Sequence, residues 1–591
     1  MALTAQELQK QKQQVEEMLA GAESLGFAKT LFFGRFKGDL LFPFPTLSPE
    51  QQKEADESVR QVQQFCKEHI DADRIDRHAE IPDSVIRGLG ALGVMGMTAP
   101  TAVGGRGFTQ QQYGKVMEVI GGHCASTAVF VNAHQSIGIR ALLLFGTPAQ
   151  QAKWLPDLCA GRKIAAFALT EEQAGSDAGN VQTMATPTAD GSAYILNGTK
   201  RYITSGGIAD VLTVMARTPV PGTDETKVTA FIVTPDMPGF EVVEKRMEKV
   251  GIRGTATGKL AFKDMRVPAE NVLGKPGKGL KIALTVLDFG RTTFGASCTG
   301  VAKFCLDAAV RHANRRVQFK QPIGEFELIK KKIAFMAAHA FAFEATTAQC
   351  AAFIDSGHED YMLETAMLKV WSTEHLWTIV NDTIQIFGGQ AFFCDEPYER
   401  IMRDARLNTI GEGANEVLKA FIAVVGSKAV GEGFLDILNA CKEPITNFSK
   451  LLKFGQEQVS ARISSPTIPV QSPSLLSEGR TLGRLVGVFG LAVQWVLRQS
   501  GKIEVFLTSQ YMHERLADMA CDIYFAACTL SRLDTMLQKR SSIPPEWNRD
   551  VIAGRHFLKI AFRRIRQNLV SLTEHDDAST TQTANLWLAK G

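Results

Sequence analysis

The chain has 591 residues, 45% of them hydrophobic and 21% charged, a globular composition long enough for several domains with large buried cores. Its formal net charge of +3, with basic residues spread along the chain, excludes a polyanion binder, so no nucleic-acid partner is expected. The ten cysteines include no Cys-x-x-Cys pair and no clustered Cys/His spacing, so no metal site is expected and a reduced intracellular protein is the simplest reading.

The opening "MALTAQELQKQKQQVEEM" is polar and mixed in charge, unlike a secretory signal or an Arg-rich transit peptide. Residues 1–46 read as an N-terminal extension. The longest notable uncharged apolar run, Leu485 to Leu497, falls short of the roughly 20 residues a spanning helix needs, so a soluble chain is expected. A helical domain is expected over 47–165. It opens at Ser48 as N-cap, Pro49 at the first helical position and Gln51 placed for a capping box. From 166 to 275 the period changes to short β-branched and aromatic runs such as "SAYILNGTKRYITSG" and "KVTAFIVTPD", separated by Gly, Pro, Asn and Asp, which predicts a middle β domain.

Helical periodicity returns over 276–430. An amphipathic segment and linker follow over 431–480, with Ile445, Phe448, Leu452, Val459 and Ile463 on one stripe and basic residues elsewhere. Such a stripe suits either an anionic membrane surface or the protein's own core. "ISSPTIPVQSPSLLSEG" is the linker candidate, and an extra helical domain is expected over 481–591. The fold class is therefore mainly α with a middle β domain.

Three stretches carry chemistry. "AFALTEEQAGSD" can wrap a flat polar ligand with backbone N–H groups and the Thr170 and Ser176 hydroxyls. "KRYITSGG" places Tyr202 and Thr204 on alternate strand positions, hence on one face. "RLNTIGEGANEVLK" sets Glu412 between Gly411 and Gly413 where an apolar-periodic stretch begins. Each has an ordinary reading: a turn, strand packing, and an acid in the first turn of a helix.

Taken with "GGRG", "LLFGTPAQQAKWLP", "VPAENVLG", "GRTTFGA", "RRVQFKQPIG" and "IQIFGGQAF", in this order from about Leu47 to Gly426, they make the chain resemble the FAD-dependent acyl-CoA dehydrogenases. The extra C-terminal region is most similar to the very-long-chain branch. The resemblance implies an N-terminal helical domain, a β-barrel-like domain, a four-helix bundle and an additional C-terminal helical domain. It assigns Phe167, Leu169, Thr170, Tyr202 and Thr204 to the flavin ring. Arg316, Gln318, Phe319, Gln385, Gly388, Gly389 and Glu416 fall to the dinucleotide part of FAD, largely across a subunit boundary.

Ser176, Asp288 and Arg291 are the implied substrate contacts. Glu412 is the implied base that takes the α-proton of a long-chain acyl-CoA while the β-hydrogen leaves as hydride, giving a trans-2-enoyl-CoA. Some relatives carry the base at the position of Gly290, where the missing side chain is read as room deep in the pocket. Departures from the family pattern are Gly411, Ala414, Ala391 and Phe319-Lys320. The implied partners are an electron-transfer flavoprotein, a second copy of the chain and, through the amphipathic segment, a membrane surface. The expected location is a bacterial cytoplasm, peripherally at the inner membrane, or the mitochondrial matrix for a processed eukaryotic chain. Two rival readings are an acyl-CoA oxidase that uses oxygen and a weakly catalytic flavin-bearing assembly protein.

Overall fold

The computed structural model describes residues 25–440, 465–538 and 545–589. The proposed amphipathic stripe therefore lies outside the described residues. The chain begins with α1 (Phe27–Phe32), α2 (Pro49–His69), α3 (Ala72–His78), α4 (Asp83–Ala91), α5 (Gln110–His123), α6 (Ala125–Phe145) and α7 (Pro148–Cys159). Capping boxes open α2, α5 and α7, formed by Ser48 with Gln51, Thr109 with Gln112 and Thr147 with Gln150. Each satisfies two amide hydrogens that a helix start leaves bare. The length and apolarity of α6 would let it cross a membrane, yet it is mostly buried within the protein and serves as a core helix.

The middle domain holds β1 (Ala165–Ala168), β2 (Met184–Pro187), β3 (Ala193–Ile203), β4 (Val211–Pro219), β5 (Thr226–Val233), β6 (Phe240–Glu244), β7 (Gly258–Pro268) and β8 (Val272–Leu273). The sheet order is β6-β7-β3-β2-β4-β5-β8, and β1 joins it by pairing parallel to β4 from Ala165↔Val211 to Ala168↔Val214. Strand alternation divides β1: Ala166 and Ala168 point into the sheet's core, while Phe167, with Leu169 beyond it, packs among Ile137, Leu142 and Val286.

Next come α8 (Gly279–Arg315), a short hairpin of β9 (Val317–Gln318) and β10 (Gln321–Pro322), then α9 (Glu327–Asp355), α10 (Met362–Phe387), α11 (Tyr398–Leu407) and α12 (Asn415–Ala440). The four long helices of this bundle bury residues on several faces, as apolar helices enclosed by protein do. The last region comprises α13 (Leu476–Ser500), α14 (Ile503–Thr508), α15 (Gln510–Gln538), α16 (Pro545–Val570) and α17 (Asp577–Leu588). Its joint to the bundle is an aromatic stack in which Trp371 lies 4.0 Å from Phe525. The Trp371 indole donates to Asp522, which Arg564 also meets.

The described parts of the N-terminal extension and of the linker candidate are both packed against the protein. Residues 25–46, read as an extension, form a strap between the bundle and the last region. Ala28 N donates to Glu364, Lys29 pairs with Asp360 at 2.8 Å, and the Phe32 ring meets Phe489 at 5.1 Å. The Pro/Ser stretch read as a linker is pinned by burial of Ile468 and Val470 and by Asp534, which accepts the amide hydrogens of Gln471 and Ser472. Proline and serine marked a chain without a regular ladder, not a chain without partners.

Phe32→Ala should therefore loosen both regions at once. The expected loss is about 3–5 kcal/mol, the usual range for a fully buried Phe, read by chemical denaturation; a loss under about 1 kcal/mol would mean the strap contributes little.

Candidate active site

Glu412 does not lie in the first turn of a helix. It precedes α12 in a left-handed turn with φ 58° at Glu412 and 102° at Gly413, conformations that favour glycine at the second position and strain the first. The turn is held from outside. Lys369 on α10, itself buried, donates to Gly413 O at 2.7 Å and Asn415 Oδ1 at 2.8 Å. Before it, Arg403 on α11 forks onto both carboxylate oxygens of Asp76.

Glu412 is half-buried as a residue, with its carboxylate enclosed. Asn132 Nδ2 donates to Oε1 at 2.8 Å, while Oε2 is buried with no partner among the described residues. A Cβ on Gly290 of α8 would stand 2.6 Å from that Oε2. The space at Gly290 is therefore filled by the carboxylate of Glu412, which corrects its reading as room for an acyl chain. Burial pushes the Glu412 carboxyl up to about 7 from its ordinary 4.5, against the pull of Arg291, Lys369 and the Asn132 amide. The same burial pushes the Lys369 ammonium down to about 7.

On the side facing the β domain, a second buried pair fixes a loop. Lys200 Nζ donates to Glu171 at 2.6 Å and to Leu169 O at 2.9 Å, and Glu171 also accepts from Thr183. Arg201 N donates to Thr170 O. These bonds bring Phe167, Leu169 and Thr170 beside the end of β3 that carries Tyr202. Tyr202 is 55% exposed and lies under the Arg201 guanidinium at 4.8 Å. The simple alternation argument for Tyr202 and Thr204 fails: Tyr202 has φ 60° at a register shift, and Thr204 lies in the turn after Ile203. His134, neutral because burial pushes it down to about 4, accepts from Ala165 N and donates to Leu158 O, tying α6 to β1.

The other predicted residues separate into two groups. Asp288 and Arg291 are buried and paired at 3.1 Å, with Thr365 donating to Asp288 at 2.7 Å, while Arg291 Nε approaches Glu412 O. Ser176, Arg316, Gln318, Phe319, Gln385, Gly388, Gly389 and Glu416 stand on exposed surface. Phe319 is 89% exposed, and with Lys320 it makes the tight turn between β9 and β10 with φ 50° and 71°. Lys320 thus takes a conformation that the family's usual glycine adopts without strain. Ala391 is fully buried.

Family profiles for acyl-CoA dehydrogenase match in three parts: the N-terminal domain over residues 50–162, the middle domain over 166–265 and the C-terminal domain over 277–426. A fourth, described as ACAD9/ACADV, C-terminal domain, covers 473–586. The very long-chain specific acyl-CoA dehydrogenase of Mus musculus mitochondria is 34% identical over 567 residues, which are 94% of this chain and 85% of that one. The chain belongs to the acyl-CoA dehydrogenase family.

Among solved structures, an acyl-CoA dehydrogenase complexed with FAD from Bacillus anthracis superposes with a TM-score of 0.77 at 26% identity, covering 94% of both chains. The structure described as electron transferring flavoprotein of Acidaminococcus fermentans matches with a TM-score of 0.60 at 33% identity, over 65% of this chain and 98% of that one. Acyl-CoA dehydrogenases use FAD, and the residues here fit a flavin. The buried Ser205 hydroxyl and Arg201 Nε have no partner among the described residues, and the neighbouring Tyr202 ring is open.

Sequence reasoning missed Asn132, Lys369, Lys200 and Thr365. Asn132, Lys369 and Thr365 sit in no glycine-rich or charged cluster and reach the site from distant parts of the chain, whereas Lys200 opens the "KRYITSGG" stretch itself and was passed over beside Tyr202.

Glu412→Gln removes a carboxyl that folding prefers neutral. That preference is fully present below about pH 4.5 and is lost as pH rises through about 7. The Gln variant should match wild-type stability near pH 4.5 and exceed it by on the order of 1–3 kcal/mol above pH 8. Equal melting temperatures at high pH would place the carboxylate in water.

Proposed function

We propose that this chain oxidises long-chain fatty acyl-CoA thioesters to trans-2-enoyl-CoA, with Glu412 as the base and an electron-transfer flavoprotein as electron acceptor. The observation that carries the reading is the Glu412 carboxylate, enclosed between α6, α8 and α10 with one oxygen unpartnered among the described residues. A base poised near pH 7 matches proton abstraction at neutral pH.

An α-proton is weakly acidic, so the thioester oxygen must be stabilised as negative charge grows. The Glu412 N–H has no hydrogen-bond partner among the described residues and is free for that task. The α C–H bond breaks to Glu412, the β C–H bond breaks with its electron pair, and the C=C bond forms between them. The chemistry FAD would supply when bound is a hydride acceptor for that β-hydrogen. Phe167, Leu169, Thr170, Tyr202 and Thr204 would border its ring. Arg316, Gln318, Phe319, Gln385, Gly388, Gly389 and Glu416, open on one chain, would complete the site for its other half in a homodimer.

Chain length draws support from a cavity of about 440 Å³ lined in part by Gly114, Ala296, Thr299, Thr347 and Ala351 and also by the charged Lys115, Glu118, Glu344 and Arg532. It borders α8 at Ala296, less than two turns beyond Gly290 and roughly 9 Å along the helix axis at 1.5 Å per residue. The very-long-chain relative points the same way. The flavoprotein partner is supported by the likeness to the Acidaminococcus structure, itself described as an electron transferring flavoprotein. Peripheral membrane contact by the amphipathic segment and placement in a bacterial cytoplasm or mitochondrial matrix complete the reading.

Anaerobic mixing of the FAD-loaded protein with acyl-CoA thioesters from butyryl to eicosanoyl should bleach the flavin, most readily with long chains. Ala296→Leu should slow bleaching by palmitoyl-CoA roughly tenfold and leave octanoyl-CoA unchanged. An equal effect on both would detach the cavity from the acyl chain. A flavin that no thioester bleaches would favour an assembly role, and hydrogen peroxide formed stoichiometrically under air would favour an oxidase.

A further inference from the structure

The element facing the base from the N-terminal domain is the π-helical stretch Asn132–Ile139 inside α6. A π-turn shifts one residue out of register with the helix around it, and such turns gather at functional sites. Its first residue is Asn132, 3% exposed, whose Nδ2 lies 2.8 Å from Glu412 Oε1. Against the ionised carboxylate, the form that acts as a base, the amide must present Nδ2, since the opposite orientation would set two acceptors against each other. In this orientation both Asn132 Oδ1 and Glu412 Oε2 are buried without a partner among the described residues. Adjacent unsatisfied acceptors are unfavourable, and a pair that served packing alone would be expected to avoid them. His134, two residues on, bonds to Leu158 O and Ala165 N, so Asn132 is anchored on the rigid side of the site and not on the glycine-flanked turn.

We propose that Asn132 is a positioning residue for the reaction: its amide holds one oxygen of Glu412 and so turns the other toward the α-carbon of the thioester. The proposal rests on Glu412 as base and adds what aims it. The charged groups facing Glu412 are Arg291 on α8, shared with Asp288, and Lys369 on α10. Lys369 can lose its proton near neutral pH; the amide cannot, so it offers a donor to the ionised carboxylate at every working pH. The bare backbone at Gly290 lets the whole carboxylate lie against α8, where a Cβ would stand 2.6 Å from Oε2 and 2.9 Å from Oε1.

The test is anaerobic stopped-flow reduction of the holoenzyme by palmitoyl-CoA from about pH 6 to about pH 9, with Asn132→Leu, Asn132→Asp and Asn132→Gln beside wild type. The Leu variant should reduce about ten- to a hundredfold more slowly at neutral pH. Its rate-against-pH midpoint should move upward, because the ionised base has lost a donor. Asp adds a like charge and should move the midpoint further, while Gln keeps an amide and should recover part of the rate. A Leu variant with wild-type rate and midpoint overturns this proposal alone, provided wild type bleaches. If neither wild type nor any variant bleaches, the assignment of Glu412 falls, and this proposal falls with it.

Discussion

One carboxylate shut away from water governs this structure. Glu412 meets α8 at a residue with no side chain, α6 through one amide hydrogen and α10 through a buried lysine that grips its turn. Burial makes the carboxyl a stronger proton acceptor, and the cost of that burial would drive the ionised side chain out to water if the turn could swing. The left-handed backbone at Glu412, the Lys369 contacts and the Arg403 fork to Asp76 prevent that. Any side chain at Gly290 would contest the same volume, so one carboxylate fits there and a second does not.

The β domain answers with its own buried clamp. Lys200 and Glu171 join the loop after β1 to the end of β3, and His134 joins β1 to the π-helical turn that holds Glu412. A displacement of β1 would therefore be felt at both Asn132 and the residues proposed to border the flavin. In contrast, the residues assigned to the far half of FAD stand exposed on one chain, as surfaces completed by another molecule would.

Local signals were readable where local chemistry decides the outcome. Ser48, Pro49 and Gln51 announced α2, and the change from helical to strand periodicity near residue 166 matches β1 starting at Ala165. The order of family motifs led to Glu412 and Gly290, although their contact could not be read from positions so far apart in the chain. Tyr202 and Thr204 were placed by simple alternation, which the positive φ at Tyr202 breaks. Asn132 and Lys369 were invisible because an isolated Asn or Lys in an apolar run carries no pattern; only the packed bundle gives them meaning. The strap at residues 25–46 was missed for the same reason: Phe32 needs Phe489, which lies in the last region, to declare itself buried.

The central claim is that Glu412 alone exchanges a proton with the substrate's α-carbon. It is tested most directly with the flavin reduced beforehand, so that no hydride can be accepted and only the base can act. Proton NMR of palmitoyl-CoA in deuterium oxide should then show one α-hydrogen replaced by deuterium with wild type and retained with Glu412→Gln. Exchange at the wild-type rate in the Gln variant would contradict the account.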